Sequence, residues 1–155
     1  MSISDFTTTL LVDQTPEKAF NAINNVRGWW TENSEGSTQE LNDEFTVRFG
    51  ETFITMRIAE MIPERKVVWL VTDCYKHWLK NNKTEWTGTK ISFDISEKDY
   101  KTQILFTHFG LIPTLECFYG CANAWSEYLH QSLPGLITKN KGKPTPKESR
   151  KKATT

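Results

Sequence analysis

Between residues 45 and 106 the chain alternates apolar and polar side chains in short blocks. Phe45, Val47 and Phe49 alternate with Thr46 and Arg48, and Ile54, Met56 and Ile58 with Thr55 and Arg57. Thr89, Ile91, Phe93 and Ile95 alternate in the same way with Lys90, Ser92, Asp94 and Ser96. A period of two marks a strand with one buried face. Residues 66–75, centred on Val67-Val68-Trp69-Leu70-Val71, read as a further strand of the same meander. Gly50-Glu51, Pro63-Glu64-Arg65, Lys80-Asn81-Asn82-Lys83 and Lys98-Asp99 supply the turns between them. A β-branched, Thr-rich run over residues 3–12 predicts a first strand, and Ile104 and Phe106 set the inward face of a last one. By parity His108 shares that inward face. The pattern thus predicts six strands.

Helical periodicity appears twice. Thr15 is a cap, Pro16 suits a first helical position, and Ala19, Phe20 and Ile23 give one apolar face. Gly28-Trp29-Trp30 reads as a second short helix or turn, and polar residues 31–43 as a loop. Leu115, Phe118, Ala122, Trp125, Leu129 and Leu136 recur at steps of three, four or seven, the stripe of an amphipathic helix. Capped by Thr114 and running to Leu133, it would span about 30 Å. Pro134-Gly135 is expected to kink or end it, because proline lacks the amide donor and clashes with the preceding turn. Glu116 falls in the expected first turn, where the helix dipole favours a carboxylate. The class is α+β: a curved six-stranded antiparallel sheet around a long C-terminal helix, with two short helices after strand one.

Composition narrows the function. The 155 residues suit one domain, expected over 1–140, followed by a disordered basic tail at 141–155. The net charge is zero, yet residues 139–155 carry seven basic side chains against Glu148 alone, so the body is acidic by the same excess. An acidic body repels phosphate backbones, which argues against specific nucleic-acid binding. Cys74, Cys117 and Cys121 make no disulfide framework, and the N-terminus has no signal-peptide pattern; a cytoplasmic setting without membrane insertion is expected. Cys117 and Cys121, four apart, read as small core side chains rather than one half of a metal site, since no second short Cys/His pair exists. Phosphate-cradling and dinucleotide glycine patterns are missing, so no cofactor and no metal is expected, and no catalytic residue is assigned. Trp29, Trp30, Trp69, Trp86 and Trp125 fit either a well-filled core or a cavity with aromatic walls.

Several short motifs occur in a characteristic order: Thr15-Pro16-Glu17-Lys18-Ala19-Phe20, Gly28-Trp29-Trp30, Val67-Val68-Trp69-Leu70-Val71, Glu85-Trp86-Thr87-Gly88-Thr89 and Thr107-His108-Phe109-Gly110-Leu111. Glu116-Cys117, Cys121, Trp125, Tyr128 and Ser132-Leu133 follow. From about residue 5 to Pro144 the chain resembles the activator of heat-shock-protein ATPase homologue-type family, in the START-like (SRPBCC) superfamily. The resemblance implies a helix-grip fold with a hydrophobic cavity between sheet and C-terminal helix. Pro134-Gly135 departs from the family pattern, in which a basic residue and an unbroken helix follow the Ser-Leu step.

The expected function is binding of a hydrophobic or amphipathic small molecule. Trp30, Trp69, Phe93, His108, Phe118, Cys121 and Trp125 are the expected lining, with His108 as hydrogen-bonding anchor. Two alternatives stand beside it. One is a cyclase- or hydrolase-type enzyme using His108, which the superfamily sometimes hosts. The other is a chaperone-interacting protein, motivated by the family name alone; in the eukaryotic co-chaperone the main chaperone contact lies in a separate N-terminal domain.

Overall fold

The computed structural model describes residues 5–146. Seven strands form one antiparallel sheet: β1 (Phe6–Val12), β2 (Ser34–Gly36), β3 (Glu44–Phe49), β4 (Thr52–Ile62), β5 (Lys66–Tyr75), β6 (Lys90–Lys98) and β7 (Lys101–Phe109). Their order across the sheet is β1-β7-β6-β5-β4-β3-β2. The helices are α1 (Pro16–Asn24), α2 (Val26–Trp29), α3 (Phe118–Glu127) and α4 (Leu133–Lys139), the last two joined by a π-helical segment, Tyr128–Ser132.

The strand count exceeds the expected six because β2 lies within residues 31–43, a stretch too polar to signal a strand. Among the described residues Ser34–Gly36 pairs only with β3, Ser34 opposite Val47 and Gly36 opposite Phe45. An edge strand of three half-buried or exposed residues needs no apolar side chain.

One of two irregularities on the β4–β5 ladder matters for the interior. Thr55 pairs with Asp73 but Met56 with Val71, so Thr72 is an extra residue on β5. Such a bulge inverts the facing of everything after it. Val67, Trp69 and Val71 are buried; beyond Thr72 the buried positions become Cys74 and Lys76. Strict alternation from Trp69 would have sent Lys76 to solvent.

The long helix departs from expectation at both ends. Residues before Phe118 form turns rather than helix, so neither Thr114 nor Glu116 occupies a helical first turn. The turn just before the helix is held by a remote residue: Glu85 accepts the amides of Glu116 and Cys117 at 3.2 and 2.9 Å. At the other end the helix continues through Pro134-Gly135 to Lys139. Pro134 is the second residue of α4, near a helix start, where its missing amide costs little. The preceding π segment, with the Leu133 amide bonded to the Tyr128 carbonyl five residues back, relaxes the turn into which the proline ring would otherwise intrude.

After α4, residues 141–146 return to the body. The amide of Lys143 donates to Ser132 Oγ at 2.7 Å, Ser132 Oγ donates to the Trp29 carbonyl at 2.7 Å, and Thr145 exchanges bonds with Trp30 and Glu32 beside a parallel bridge to Thr31. Within the tail expected to be disordered, Lys141, Lys143 and Thr145 find amide partners that composition could not reveal; residues 147–155 lie outside the described residues. At Gly142 an added Cβ would sit 2.3 Å from the Gly28 carbonyl oxygen, so this crossing demands glycine. A chain ending at Asn140 is expected to be about 2 kcal/mol less stable than one ending at Pro146, because the Ser132 hydroxyl and the Trp30 carbonyl lose their partners from the return segment. Thermal unfolding checks this: the difference corresponds to roughly 4–8 °C in Tm. Equal melting temperatures would show that the return segment contributes nothing.

Candidate ligand-binding site

The interior between sheet and helix is filled by rings. Trp30 stacks on Trp69 at 6.0 Å with planes 2° apart, and Trp125 lies 4.8 Å from Trp30 and 4.7 Å from Phe106. Phe93 meets Trp69 and Phe106 edge-on at 5.0 and 5.2 Å. Trp69, Phe93 and Phe106 are wholly buried. Most of the predicted cavity is thus packed core. Among the described residues the Trp69 indole N–H has no hydrogen-bond partner, an exception to the usual pairing of buried donors.

His108 sits behind this cluster. Its Nδ1 lies 3.1 Å from the Trp125 indole nitrogen and its Nε2 2.9 Å from Thr89 Oγ1, while Thr89 Oγ1 donates to the Trp86 carbonyl at 2.6 Å. An indole is a donor only, so Nδ1 accepts and the proton resides on Nε2. The Thr89 hydroxyl, already committed as donor, accepts from Nε2. Every hydrogen-bonding group in the chain Trp125–His108–Thr89–Trp86 is thereby used. Burial, with a smaller contribution from the Lys76 ammonium, lowers the His108 pKa to about 3, so the imidazole is neutral. Gly110, at φ 103°, ends this strand where a side chain would collide with Thr89.

An open cleft of about 190 Å³ remains at one end of the sheet–helix interface. Trp30, Phe49, Thr52, Ile54, Lys76, Trp78, Trp86, Gly120, Cys121, Ala124, Trp125 and Tyr128 line it. Its existence follows from two small residues one helical turn apart, Gly120 and Ala124, which leave the α3 surface low between Cys121 and Trp125. The opposite wall is the loop after β5. Glu116 ties that loop to the helix start by accepting the amides of Lys80 and Asn81, both at 2.9 Å, and these bonds hold its carboxyl below the ordinary range. The Lys83 ammonium bonds the carbonyls of His77 and Leu79 from within.

Of the seven expected lining residues, Trp30, Cys121 and Trp125 border the cleft. Trp69 and Phe93 lie in the sealed ring cluster, His108 behind Trp125, and Phe118 elsewhere on α3. Lys76 and Trp78 gave no warning in the sequence. Lys76 is buried only through the Thr72 bulge, and Trp78 sits in a loop, 54% exposed. The Lys76 ammonium lies 3.6 Å above the Trp86 ring and 5.9 Å from that of Trp78.

The sulfurs form a small polar system of their own. The Trp86 indole donates to Cys117 Sγ at 3.2 Å. The hydrogen bond between Cys117 and Cys121, together with burial, pushes the Cys117 thiol up; the same bond, aided by Lys76, lowers Cys121. Among the described residues no three His, Cys, Asp or Glu side chains converge as a metal-ligand set.

No family model matches the chain, and no curated protein matches it. Solved structures do. The Aha1 dimer from Colwellia psychrerythraea superposes with a TM-score of 0.73 at 22% identity, covering 90% of this chain and 99% of that one. The protein SSP2350 from Staphylococcus saprophyticus gives 0.68 at 16% identity, covering 92% and 98%. DynU16, from the dynemicin biosynthetic locus, gives 0.64 at 10% identity, covering 88% of this chain and 48% of that one. The chain has the fold of the activator of heat-shock-protein ATPase homologue-type, START-like proteins.

Proposed function

We propose that the protein binds a small hydrophobic or amphipathic molecule in the cleft between α3 and the loop after β5. The observation that carries this reading is the cleft's wall: four tryptophans, Trp30, Trp78, Trp86 and Trp125, with Tyr128 and Thr52 as polar handles, surround a space that the packed core leaves open. Aromatic walls with a few polar groups are the general character of ligand sites. At about 190 Å³ the space is smaller than the roughly 300 Å³ at which pockets for drug-sized molecules begin, so the ligand is a one- or two-ring compound. A larger cleft, about 390 Å³, opens between α1–α2 and the β2 region, but its lining is mostly amide and hydroxyl side chains and it lies apart from the sheet–helix interface. Occurrence of the same fold in a biosynthetic locus agrees with a small-molecule role.

His108 offers this function no proton and no exposed anchor, which removes the support for the enzyme alternative. The chaperone-interacting alternative rests on a neighbour's name alone. No helix among the described residues is long and apolar enough to cross a membrane. Three buried free cysteines support the proposed cytoplasmic setting.

Titration with single-ring aromatic compounds, followed by amide shifts, tests the site. Shifts should cluster at Trp30, Trp86, Cys121 and Trp125. Ala124→Phe should fill the cleft mouth and weaken binding at least tenfold, while Tm changes by no more than about 2 °C because Ala124 is exposed. Unchanged affinity in Ala124→Phe would place the ligand elsewhere.

A further inference from the structure

Lys76 is the one charged side chain lining the cleft, and it is only 5% exposed. Among the described residues no carboxylate forms an ion pair with it; the three ion pairs are Arg48–Glu35, Lys66–Asp94 and His77–Glu51. A buried ammonium without a counter-charge is costly, because burial strips it of water. The Trp86 face at 3.6 Å recovers part of this through a desolvated cation–π contact. Cys121, whose thiol Lys76 helps to lower, is a polar neighbour on the cleft wall, and what compensation it and Trp86 leave missing faces the cleft. Nearby backbone amides that might otherwise bind an anion are already taken by internal carboxylates, Glu116 on Lys80 and Asn81 and Glu85 on Glu116 and Cys117.

Building on the proposed binding site, we propose that its ligand is an aromatic monocarboxylate whose carboxylate pairs with Lys76 while its ring lies among Trp30, Trp78 and Trp125. One cation, with no arginine in the lining and no free amide cradle, matches a single negative charge better than a phosphate dianion, and the acidic body disfavours a dianion further. The cleft's small volume limits the ring system to the size already inferred. A neutral ligand of the same shape would leave the buried charge unpaired and forgo that gain. Placement of the ammonium follows from the Thr72 bulge, so one extra residue in β5 supplies both the facing of Lys76 and the ligand class.

Phenylacetate and its uncharged isostere phenylacetamide separate the possibilities by calorimetry at pH 7 on the full chain. The acid should bind at least tenfold more tightly than the amide. Lys76→Met, which keeps the aliphatic stem, should abolish this preference and leave amide affinity within about twofold; Lys76→Arg should retain it. Equal affinity of the unaltered protein for acid and amide, a comparison that needs no variant, would overturn the charge pairing while leaving the binding site standing. Equal weakening of both compounds by Lys76→Met would do the same. Failure of both compounds to bind would overturn the binding site and this inference together.

Discussion

Trp125→Ala is expected to cost about 4 kcal/mol, within the range for removing a buried tryptophan. The ring contacts Trp30 and Phe106 below 5 Å, stacks on Trp86 at 6.0 Å and donates to His108. Its loss merges the binding cleft with the core and leaves a buried imidazole acceptor unmatched. Trp125→Phe separates the two contributions. It keeps most of the packing and removes the indole donor, so it should cost about 2 kcal/mol, the usual penalty for a stranded buried acceptor. Denaturant unfolding measures both, and an unchanged m-value would show that the same surface is exposed in each case. If Trp125→Phe proves as stable as the unaltered chain, the hydrogen-bonded chain through His108 is not a stabilising element.

That chain illustrates what periodicity can and cannot reveal. Alternation along β7 placed His108 on the inner face, and it lies there. Facing inward, however, leads either to a cavity or to packed core, and a period of two does not distinguish them. Which one results depends on Trp125 and Thr89 arriving from other elements with one donor and one acceptor apiece. The strands β3, β4, β5, β6 and β7 were legible because each buries one face. β2 was not, because an edge strand is specified by the backbone of its neighbour. Lys76 was hidden for a different reason. A bulge appears as one residue too many between two strands, and its position depends on the pairing register, which a single strand's pattern does not contain. The continuation of the helix past Pro134 was concealed in the same way, since a π turn is a response to the proline rather than a motif preceding it. Resemblance to known START-like proteins indicated the grip of sheet on helix; the small size and lysine wall of the cleft belong to this chain's own side chains.

Between pH 7 and pH 5 the protein is expected to lose about 2 kcal/mol of stability through His108 alone. The sign follows from the direction of the shift. His108 has a folded pKa of about 3, below its ordinary 6.5, because burial penalises the imidazolium. Below pH 6.5 the unfolded chain takes up a proton that the folded chain refuses, and stability falls with pH until both states are protonated near pH 3. Each pH unit within that window corresponds to about 1.4 kcal/mol, giving about 2 kcal/mol by pH 5. The carboxylates Asp43 and Glu116, whose folded pKa values are lowered by hydrogen bonds, act in the same direction, but at lower pH than the onset of the histidine effect. His77 and His130 are exposed and serve as internal controls when substituted. His108→Gln keeps a neutral polar side chain and cannot titrate; it should be less stable at pH 7, having lost part of the bonding to Trp125 and Thr89, yet show a much flatter profile between pH 7 and pH 5. Stability by urea unfolding at half-unit pH steps reads this directly. A profile for His108→Gln parallel to that of the unaltered chain would mean that another group carries the acid sensitivity and that His108 does not stay neutral through burial.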